Sequence, residues 1–297
     1  MDLGYVGLGK MGGALARRLM RQHKLRAYDL RPAVVQEFAA AGAVPVQNLG
    51  AMARDCDLVM TCLPTSAQVR DVIFGDAKGE GGLAAHLKPG SVIADMTTGD
   101  PTATRAMAAE LQARGIHLID APVSGGPHGA EAGTIAIMVG APDALFDRVL
   151  PVLQTISPNI FHTGGVGTGH LMKLVNNVIA ASVRAVTFEA VAMGIKSGLS
   201  LETCAAVLPK GSARSYTTDV TLPRLVDGSF VANFQLGLMH KDVRLATEMG
   251  IASAAPMPIA GLVREIYQEA VNEHGAEADI NMLIRSCERA ALTKVVR

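Results

Sequence analysis

Lys173 and Asn177 lie four residues apart in a stretch of helical period, so their side chains leave one helix face one turn apart. An amine and a carboxamide on an otherwise apolar run require a reason, because neither is buried favourably without a partner. Hydride chemistry supplies one. Oxidising an alcohol requires removal of the hydroxyl proton, and the reverse reaction requires its delivery. A lysine whose pKa is lowered by partial burial does both, contributing about 10²–10⁴-fold. Asn177 would then hold the reacting oxygen in line with the amine. The alternative is a lysine that snorkels from a packed face, and spacing alone leaves both open. His170, one turn before Lys173, reads as a helix-start histidine bonded to backbone, and Glu189 as a residue that pairs or caps in interdomain packing; neither is assigned a chemical role.

A second cluster suits a cofactor. Gly7-Leu8-Gly9-Lys10-Met11-Gly12 follows an apolar run, Leu3–Val6, and opens a helical pattern. In that setting Gly7 allows the tight turn, Gly9 lets backbone approach a pyrophosphate, and Gly12 packs helix against strand, while the helix start presents free N–H groups to the anion. Asp29 closes the next strand, where an acidic residue accepts ribose hydroxyls, and its charge opposes a 2′-phosphate. Arg31 either turns its guanidinium toward such a phosphate or is a solvated surface residue. The expected cofactor is NAD, with NADP tolerated. Farther on, Asp120-Ala121-Pro122-Val123-Ser124-Gly125-Gly126 follows another predicted strand. Two unhindered glycine amides and the Ser124 hydroxyl suit a carboxylate, and an ordinary glycine turn is the structural alternative.

These residues need a frame that sets them side by side. The first half of the chain alternates short apolar runs with helical stretches, as in βαβ units around a parallel sheet. Strands are expected at Leu3–Val6, Leu25–Tyr28, Leu58–Cys62, Ser91–Ala94, His117–Ile119 and Thr134–Val139, and helices at Ala67–Ile73, Ala103–Ala113 and Pro142–Leu153. From Gly164 the short runs stop, and the glycine-rich stretch 164–169 leads into a helical pattern of about 27 residues that runs to Lys196. A helix of that length, roughly 40 Å, suits a bridge between domains. The remainder of the chain reads as helices with Gly/Pro breaks. The expected architecture is a Rossmann-like, doubly wound α/β domain over 1–163 and an all-α substrate and oligomerisation domain over 164–297, joined by the long helix.

Lys plus Arg number 27 and Asp plus Glu 27, so no overall field draws the chain to nucleic acid or an anionic membrane. Hydrophobic residues are 49% and charged residues 18%, far from the signature of disorder. The four cysteines, Cys56, Cys62, Cys204 and Cys287, show no metal-ligand spacing and read as reduced thiols. The start lacks a signal-peptide pattern, and the apolar segment from Leu171 to Ile195 carries Lys173, Asn176, Asn177, Arg184 and Glu189, which disfavours a lipid span. A cytoplasmic enzyme without a membrane partner is expected. The helical half, rich in Ala, Val, Leu and Met, suits a homodimer or homotetramer interface.

In order along the chain, the glycine turn at 7–12, Cys62-Leu63-Pro64, Asp95 to Thr98, Asp120 to Gly126, Gly167 to Asn177 and Lys241-Asp242 give the sequence its family likeness. The chain resembles the β-hydroxyacid dehydrogenases, the group that includes 3-hydroxyisobutyrate dehydrogenase and tartronate semialdehyde (2-hydroxy-3-oxopropionate) reductase and is related to 6-phosphogluconate dehydrogenase. The resemblance covers essentially the whole chain. It implies that Lys173 is catalytic, that Ser124, Gly125, Gly126 and Asn177 contact the substrate, and that Leu63, Pro64, Thr98 and Lys241 line the cofactor site. Chemistry alone would make Lys241 a surface lysine. In 6-phosphogluconate dehydrogenase a His-Asn pair follows the lysine and a Glu acts as acid after decarboxylation; here those positions are Asn176-Asn177 and Ala180.

The expected reaction is hydride transfer between NAD(P) and a small anionic 3-hydroxy acid or semialdehyde acid, without loss of CO₂. The alternatives are an imine or non-acid aldehyde reductase, disfavoured by Lys173 and the Ser124–Gly126 anion site, and a silent dinucleotide-binding sensor. The loop 211–215, with Arg214, and the region Phe230–Phe234 are candidates for specificity that the sequence does not place.

Overall fold

A computed structural model describes residues 1–75 and 81–296, which divide into two compact units, Met1–Lys173 and Leu174–Arg297. In the first, strands β1 (Leu3–Val6), β2 (Leu25–Tyr28), β3 (Val44–Pro45), β4 (Leu58–Thr61), β5 (Val92–Asp95), β6 (His117–Asp120), β7 (Val123–Ser124), β8 (Ala136–Gly140) and β9 (Ile160–Gly164) form one sheet. Helices α1 (Lys10–Met20), α2 (Pro32–Ala40), α3 (Leu49–Asp55), α4 (Ser66–Phe74), α5 (Pro101–Gln112), α6 (Gly126–Ala132) and α7 (Asp143–Gln154) connect them.

The strand order is β3-β2-β1-β4-β5-β6-β8-β7, with β9 also paired to β8. From β3 to β6 all pairings are parallel. Strands β1, β4 and β5 are buried along their whole length, as expected where helices cover both faces of a parallel sheet. Alternation sends Leu3, Tyr5, Leu58, Met60, Val92 and Ala94 into one core cluster and Val6, Val59, Ile93 and Leu118 into the other. This is the period-2 consequence of strand geometry. Successive strands are added on one side of β1 (β2, β3) and then on the other (β4, β5, β6), so the strand order reverses between β1 and β4, the switch point beside which such folds bind ligands.

Register fixes the geometry further. Val6 lies opposite Thr61, Thr61 opposite Asp95, and Asp95 opposite Asp120, so the last residues of four neighbouring strands form one row. Each strand therefore releases its following loop at the same edge: the glycine turn after β1, Cys62-Leu63-Pro64 after β4, Met96-Thr97-Thr98 after β5, and Ala121–Gly126 after β6.

Helix α8 (Thr168–Lys196) has 29 residues and runs across the division between the units. The second unit continues with α9 (Leu201–Val207), a π-helical turn at Thr217–Thr221, α10 (Leu222–Val226), α11 (Leu236–Ala252), α12 (Pro258–His274) and α13 (Leu283–Ala291). Its core gathers Phe188, Leu222, Leu236, Tyr267 and Leu283. Arg184 is buried there, bonded to Asn281 and, at 3.4 Å, to Thr221. The architecture agrees with the expected α/β and all-α halves. Strands β3, β7 and β9 lie outside the expected set, as do α2, α3 and α6. Two of those strands have only two residues, too few to show alternation, and β9 lies exposed at Phe161 and His162.

Candidate active site

Gly7 adopts φ +95°, and its N–H bonds the Tyr28 carbonyl at 3.0 Å. A side chain there would strike the Cys62 carbonyl, and one at Gly12 would strike the Gly7 carbonyl, so both glycines hold chain against chain. Gly9 is different: a Cβ there would meet nothing within 4 Å. That opening at the start of α1, beside helix N–H groups, fits the close approach of a pyrophosphate. Leu8 is buried, whereas Met11 is partly exposed at the helix mouth.

Asp29 receives the Leu8 N–H at 2.8 Å, and Arg31 forks onto both of its oxygens at 2.9 and 3.0 Å. Burial raises the Asp29 carboxyl, but the Arg31 and Leu8 hydrogen bonds and the Arg31 charge outweigh it and hold it below the ordinary carboxylate range. An ionised, acceptor-only carboxylate here suits a ribose hydroxyl and repels a phosphate. Arg31 lies at the surface, as one of its two readings expected, and its ion pair with Asp29 adds a partner that neither reading named. The guanidinium is exposed, yet it is paired with the neighbouring acid.

The row at the strand ends carries the polar side chains. Asp95 Oδ1 accepts from Thr61 Oγ1 at 2.9 Å and from the Thr97 N–H at 3.0 Å, while Thr97 Oγ1 accepts from the Leu63 N–H at 3.0 Å. This network ties the loop after β4, with Leu63 and exposed Pro64, to the loop after β5, with partly buried Thr98. Asp120 Oδ1 accepts from the Gly167 N–H at 2.6 Å, and its Oδ2 accepts from the His170 N–H at 2.7 Å. The Asp120 carboxylate thereby caps the first turn of α8, satisfying amides that have no partner within the helix. Burial pushes the Asp120 carboxyl above the usual range, against the opposing pull of His170 and those amides.

One turn after His170, Lys173 is buried, with 8% of its surface exposed. The loop after β6 holds Ser124 at partial exposure, followed by Gly125 at φ +136° and Gly126 at φ +70°. Both backbone conformations favour glycine. They leave a concave turn beside a hydroxyl, a shape suited to a carboxylate.

In the helical unit, Asn177 Nδ2 donates to Asp242 Oδ2 at 2.6 Å, and Asn177 Oδ1 accepts from Asn176 Nδ2 at 2.9 Å. A carboxylate accepts only, so Asp242 sets the amide orientation of Asn177 and leaves its second N–H free to donate. Lys241 Nζ lies 2.9 Å from Asp242 Oδ1, with only 15% of the side chain exposed, unlike a surface lysine. Arg214 is exposed and pairs with Asp219 at 3.0 Å.

Sequence reasoning counted Asp95, Thr97 and Asp242 only as parts of the family likeness and gave them no role of their own, and it passed over Thr104. Asp242 lies 65 residues from Asn177, so no local spacing links them. One expectation is corrected. The His170 ring is not bonded to backbone: its Nδ1 lies 2.8 Å from Thr104 Oγ1, and its Nε2 faces Asp95 Oδ2 at 3.7 Å.

Similarity to known proteins also falls into two parts, which meet just before α8. Residues 2–164 match the family described as the NAD binding domain of 6-phosphogluconate dehydrogenase, and residues 167–287 match that described as the NAD-binding domain of NADP-dependent 3-hydroxyisobutyrate dehydrogenase. The 2-(hydroxymethyl)glutarate dehydrogenase of Eubacterium barkeri is 37% identical, over 90% of this chain and 88% of its own. The 2-hydroxy-3-oxopropionate reductase of Escherichia coli is 33% identical, over 99% and 100%. The solved 3-hydroxyisobutyrate dehydrogenase of Salmonella typhimurium superposes with a TM-score of 0.86 at 27% identity, covering 96% of this chain and 99% of that one.

The Asp29–Arg31 arrangement yields a prediction. Asp29→Asn removes the negative charge and releases the guanidinium, so the ratio of kcat/KM for NADP to that for NAD should rise at least about tenfold, worth about 1.4 kcal/mol. Steady-state kinetics with both cofactors checks this, and an unchanged ratio would show that Asp29 does not set the preference.

Proposed function

The chain belongs to the β-hydroxyacid dehydrogenase family and is an NAD(P)-dependent hydroxy acid dehydrogenase; on that premise we propose that Lys173 is its general acid/base, acting on a small 3-hydroxy acid or semialdehyde acid without decarboxylation. The observation that carries this reading is the burial of Lys173, which follows by one turn the amides that Asp120 caps at the strand-end row.

The nicotinamide cofactor, when bound along the glycine turn, supplies hydride acceptance and donation. The residues do the rest. Ser124 and the turn at Gly125-Gly126 receive the substrate carboxylate through a hydroxyl and backbone amides. Lys173 takes the substrate hydroxyl proton in oxidation and returns it in reduction. Asn177, its amide oriented by Asp242, donates its second N–H to the reacting oxygen. Leu63, Pro64, Thr98 and Lys241 are assigned to the lining of the cofactor site, with Leu63 and Pro64 toward the nicotinamide. Ala180 supplies no acid for an enediol, which supports simple oxidation over decarboxylation. Anion recognition by Ser124-Gly125-Gly126 favours an acid substrate over an imine or a neutral aldehyde.

The proposed assembly is a homodimer or homotetramer in the cytoplasm. Met172, Val175, Ile179, Val186 and Met193 are exposed along one stripe of α8. Beside it, α8 and the start of α12 line a groove of ≈ 350 Å³ with Ile179, Met257 and Ile259. Helix α8 is long and apolar enough to cross a membrane. Its buried Arg184, bonded to Asn281 and Thr221, supports a protein-facing helix instead. Soluble monomers rarely leave such a stripe uncovered, and a second copy placed by a two-fold axis covers it. The free thiols suit a reducing compartment.

Two measurements test these proposals. A panel of 3-hydroxyisobutyrate, glycerate, tartronate semialdehyde and 2-(hydroxymethyl)glutarate identifies the substrate. With the best of them, Lys173→Ala should lower kcat by about 10³-fold or more while NADH affinity stays within about threefold; retention of over a tenth of wild-type kcat would remove Lys173 from the mechanism. In sedimentation velocity, Val186→Glu should convert the oligomer to a monomer, and a wild-type protein that sediments as a monomer at micromolar concentration would contradict the interface.

A further inference from the structure

Hydrogen-bond donors and acceptors around His170 balance only if its ring shares a proton with Asp95. Both side chains are fully buried. Thr104 Oγ1 donates to the Asp100 carbonyl at 2.9 Å, so toward His170 Nδ1, at 2.8 Å, it is an acceptor, and Nδ1 carries a hydrogen. On the other side of the ring, Nε2 lies 3.7 Å from Asp95 Oδ2, and neither atom has a hydrogen-bond partner. A neutral ring protonated at Nδ1 offers a lone pair at Nε2, and an ionised carboxylate offers another. Two acceptors facing each other away from water would be strongly unfavourable. One proton between them resolves the conflict, as imidazolium with carboxylate or as imidazole with carboxylic acid. Both forms are neutral as a pair.

The surroundings confine that proton. Asp95 Oδ1 is already engaged by Thr61 and the Thr97 amide. Cys62 and Tyr5, which act electrostatically on one another and feel Asp95, stay protonated: burial pushes Cys62 up to about 12 and Tyr5 well above its usual value. Asp120, from β6, bonds the His170 backbone N–H rather than the ring. Ser66 Oγ, from α4, borders the same space. A Cβ on Gly99 would come within 2.8 Å of His170 Cε1 and 2.9 Å of Ser66 Oγ, so the ring packs where only a glycine fits at position 99.

We propose that Asp95 and His170 are positioning residues, a proton-sharing pair that clamps the first turn of α8 to β5 and α5 and thereby sets where the Lys173 amine is held. The inference rests on Lys173 as the general acid/base. A reacting group displaced by about 1 Å loses rate by as much as 10²-fold even when ligands still bind, so loosening this clamp should act on kcat rather than on cofactor affinity. Asp95→Asn offers a conservative replacement. Its Oδ1 keeps the bonds from Thr61 and Thr97, and its Nδ2 donates to His170 Nε2, supplying the hydrogen bond without a shared proton.

The experiment compares His170→Leu, Asp95→Asn, Thr104→Val and Lys173→Ala by kcat, substrate KM, NADH Kd from fluorescence titration, and ¹⁵N shifts of the His170 ring. His170→Leu should lower kcat by about 30-fold with KM and NADH Kd within about threefold. Asp95→Asn should retain most of wild-type kcat, with Nδ1 the protonated ring nitrogen. A His170→Leu enzyme with wild-type kcat, a parallel loss of kcat and NADH affinity, or an Asp95→Asn enzyme as impaired as His170→Leu would each overturn the proposal. If His170→Leu does not fold, Thr104→Val decides: it should lower kcat by about fivefold at unchanged NADH Kd, and wild-type behaviour would overturn the inference. Lys173→Ala separates the two readings. Retained turnover there refutes the general acid/base, whereas an inactive Lys173→Ala beside a fully active His170→Leu refutes only the clamp.

Discussion

The Asp120 carboxylate accepts two backbone amides from the start of α8, and most of what this enzyme does depends on that attachment. A 29-residue helix that enters the helical unit would otherwise have a free first turn, with amides lacking partners and a fraying end. Capped from β6, the turn belongs to the sheet. The division between the compact units falls immediately after Lys173, so the lysine is the last residue of the Rossmann unit. The amine is thereby referred to the same frame as the glycine turn, the Asp95 loop and the Ser124–Gly126 turn. The acid/base role proposed for Lys173 needs that common frame, because proton transfer depends on distance at the scale of a single hydrogen bond.

Attachment to the sheet would be of little use if the sheet did not align its own loops. Register across β1, β4, β5 and β6 does this by placing Val6, Thr61, Asp95 and Asp120 in one row. Three of those four residues are polar, and all four are buried. Their hydrogen bonds run along the row and into the following loops, which engages Thr61, Asp95 Oδ1 and both oxygens of Asp120 and leaves Asp95 Oδ2 facing only the His170 ring. Asn177 is handled in the same way by Asp242, whose carboxylate decides which end of the amide donates.

Much of this was legible in the sequence wherever the signal was local. The glycine turn, Asp29 closing β2, the strands Leu3–Val6 and Leu25–Tyr28 and the long helix are patterns of contiguous residues, and they match the structure closely. Helical spacing set Lys173 and Asn177 on one face of the long helix but left their role open, and the family resemblance is what pointed to chemistry there. What was hidden depends on contacts between distant residues: Asp120 reaches Gly167 across 47 positions, Thr104 reaches His170 across 66, and Asp242 reaches Asn177 across 65. His170 looked like an ordinary helix-start histidine because its partners lie on β5 and α5. Arg31 was read either as reaching a 2′-phosphate or as a solvated surface residue, and its bidentate pairing with Asp29 was hidden because spacing of two residues does not show which way a long side chain folds.

Native-state hydrogen exchange tests most directly whether the lysine-bearing turn is part of the sheet. The amides of Gly167 and His170 should exchange as slowly as those of β6, opening only when the Rossmann unit opens, and in Asp120→Ala their protection should fall while that of α11 and α12 is unchanged. If those two amides exchange at the rate of a frayed helix end in the wild-type protein, or open together with α11 and α12 rather than with β6, then Lys173 is not held by the sheet and the account is wrong.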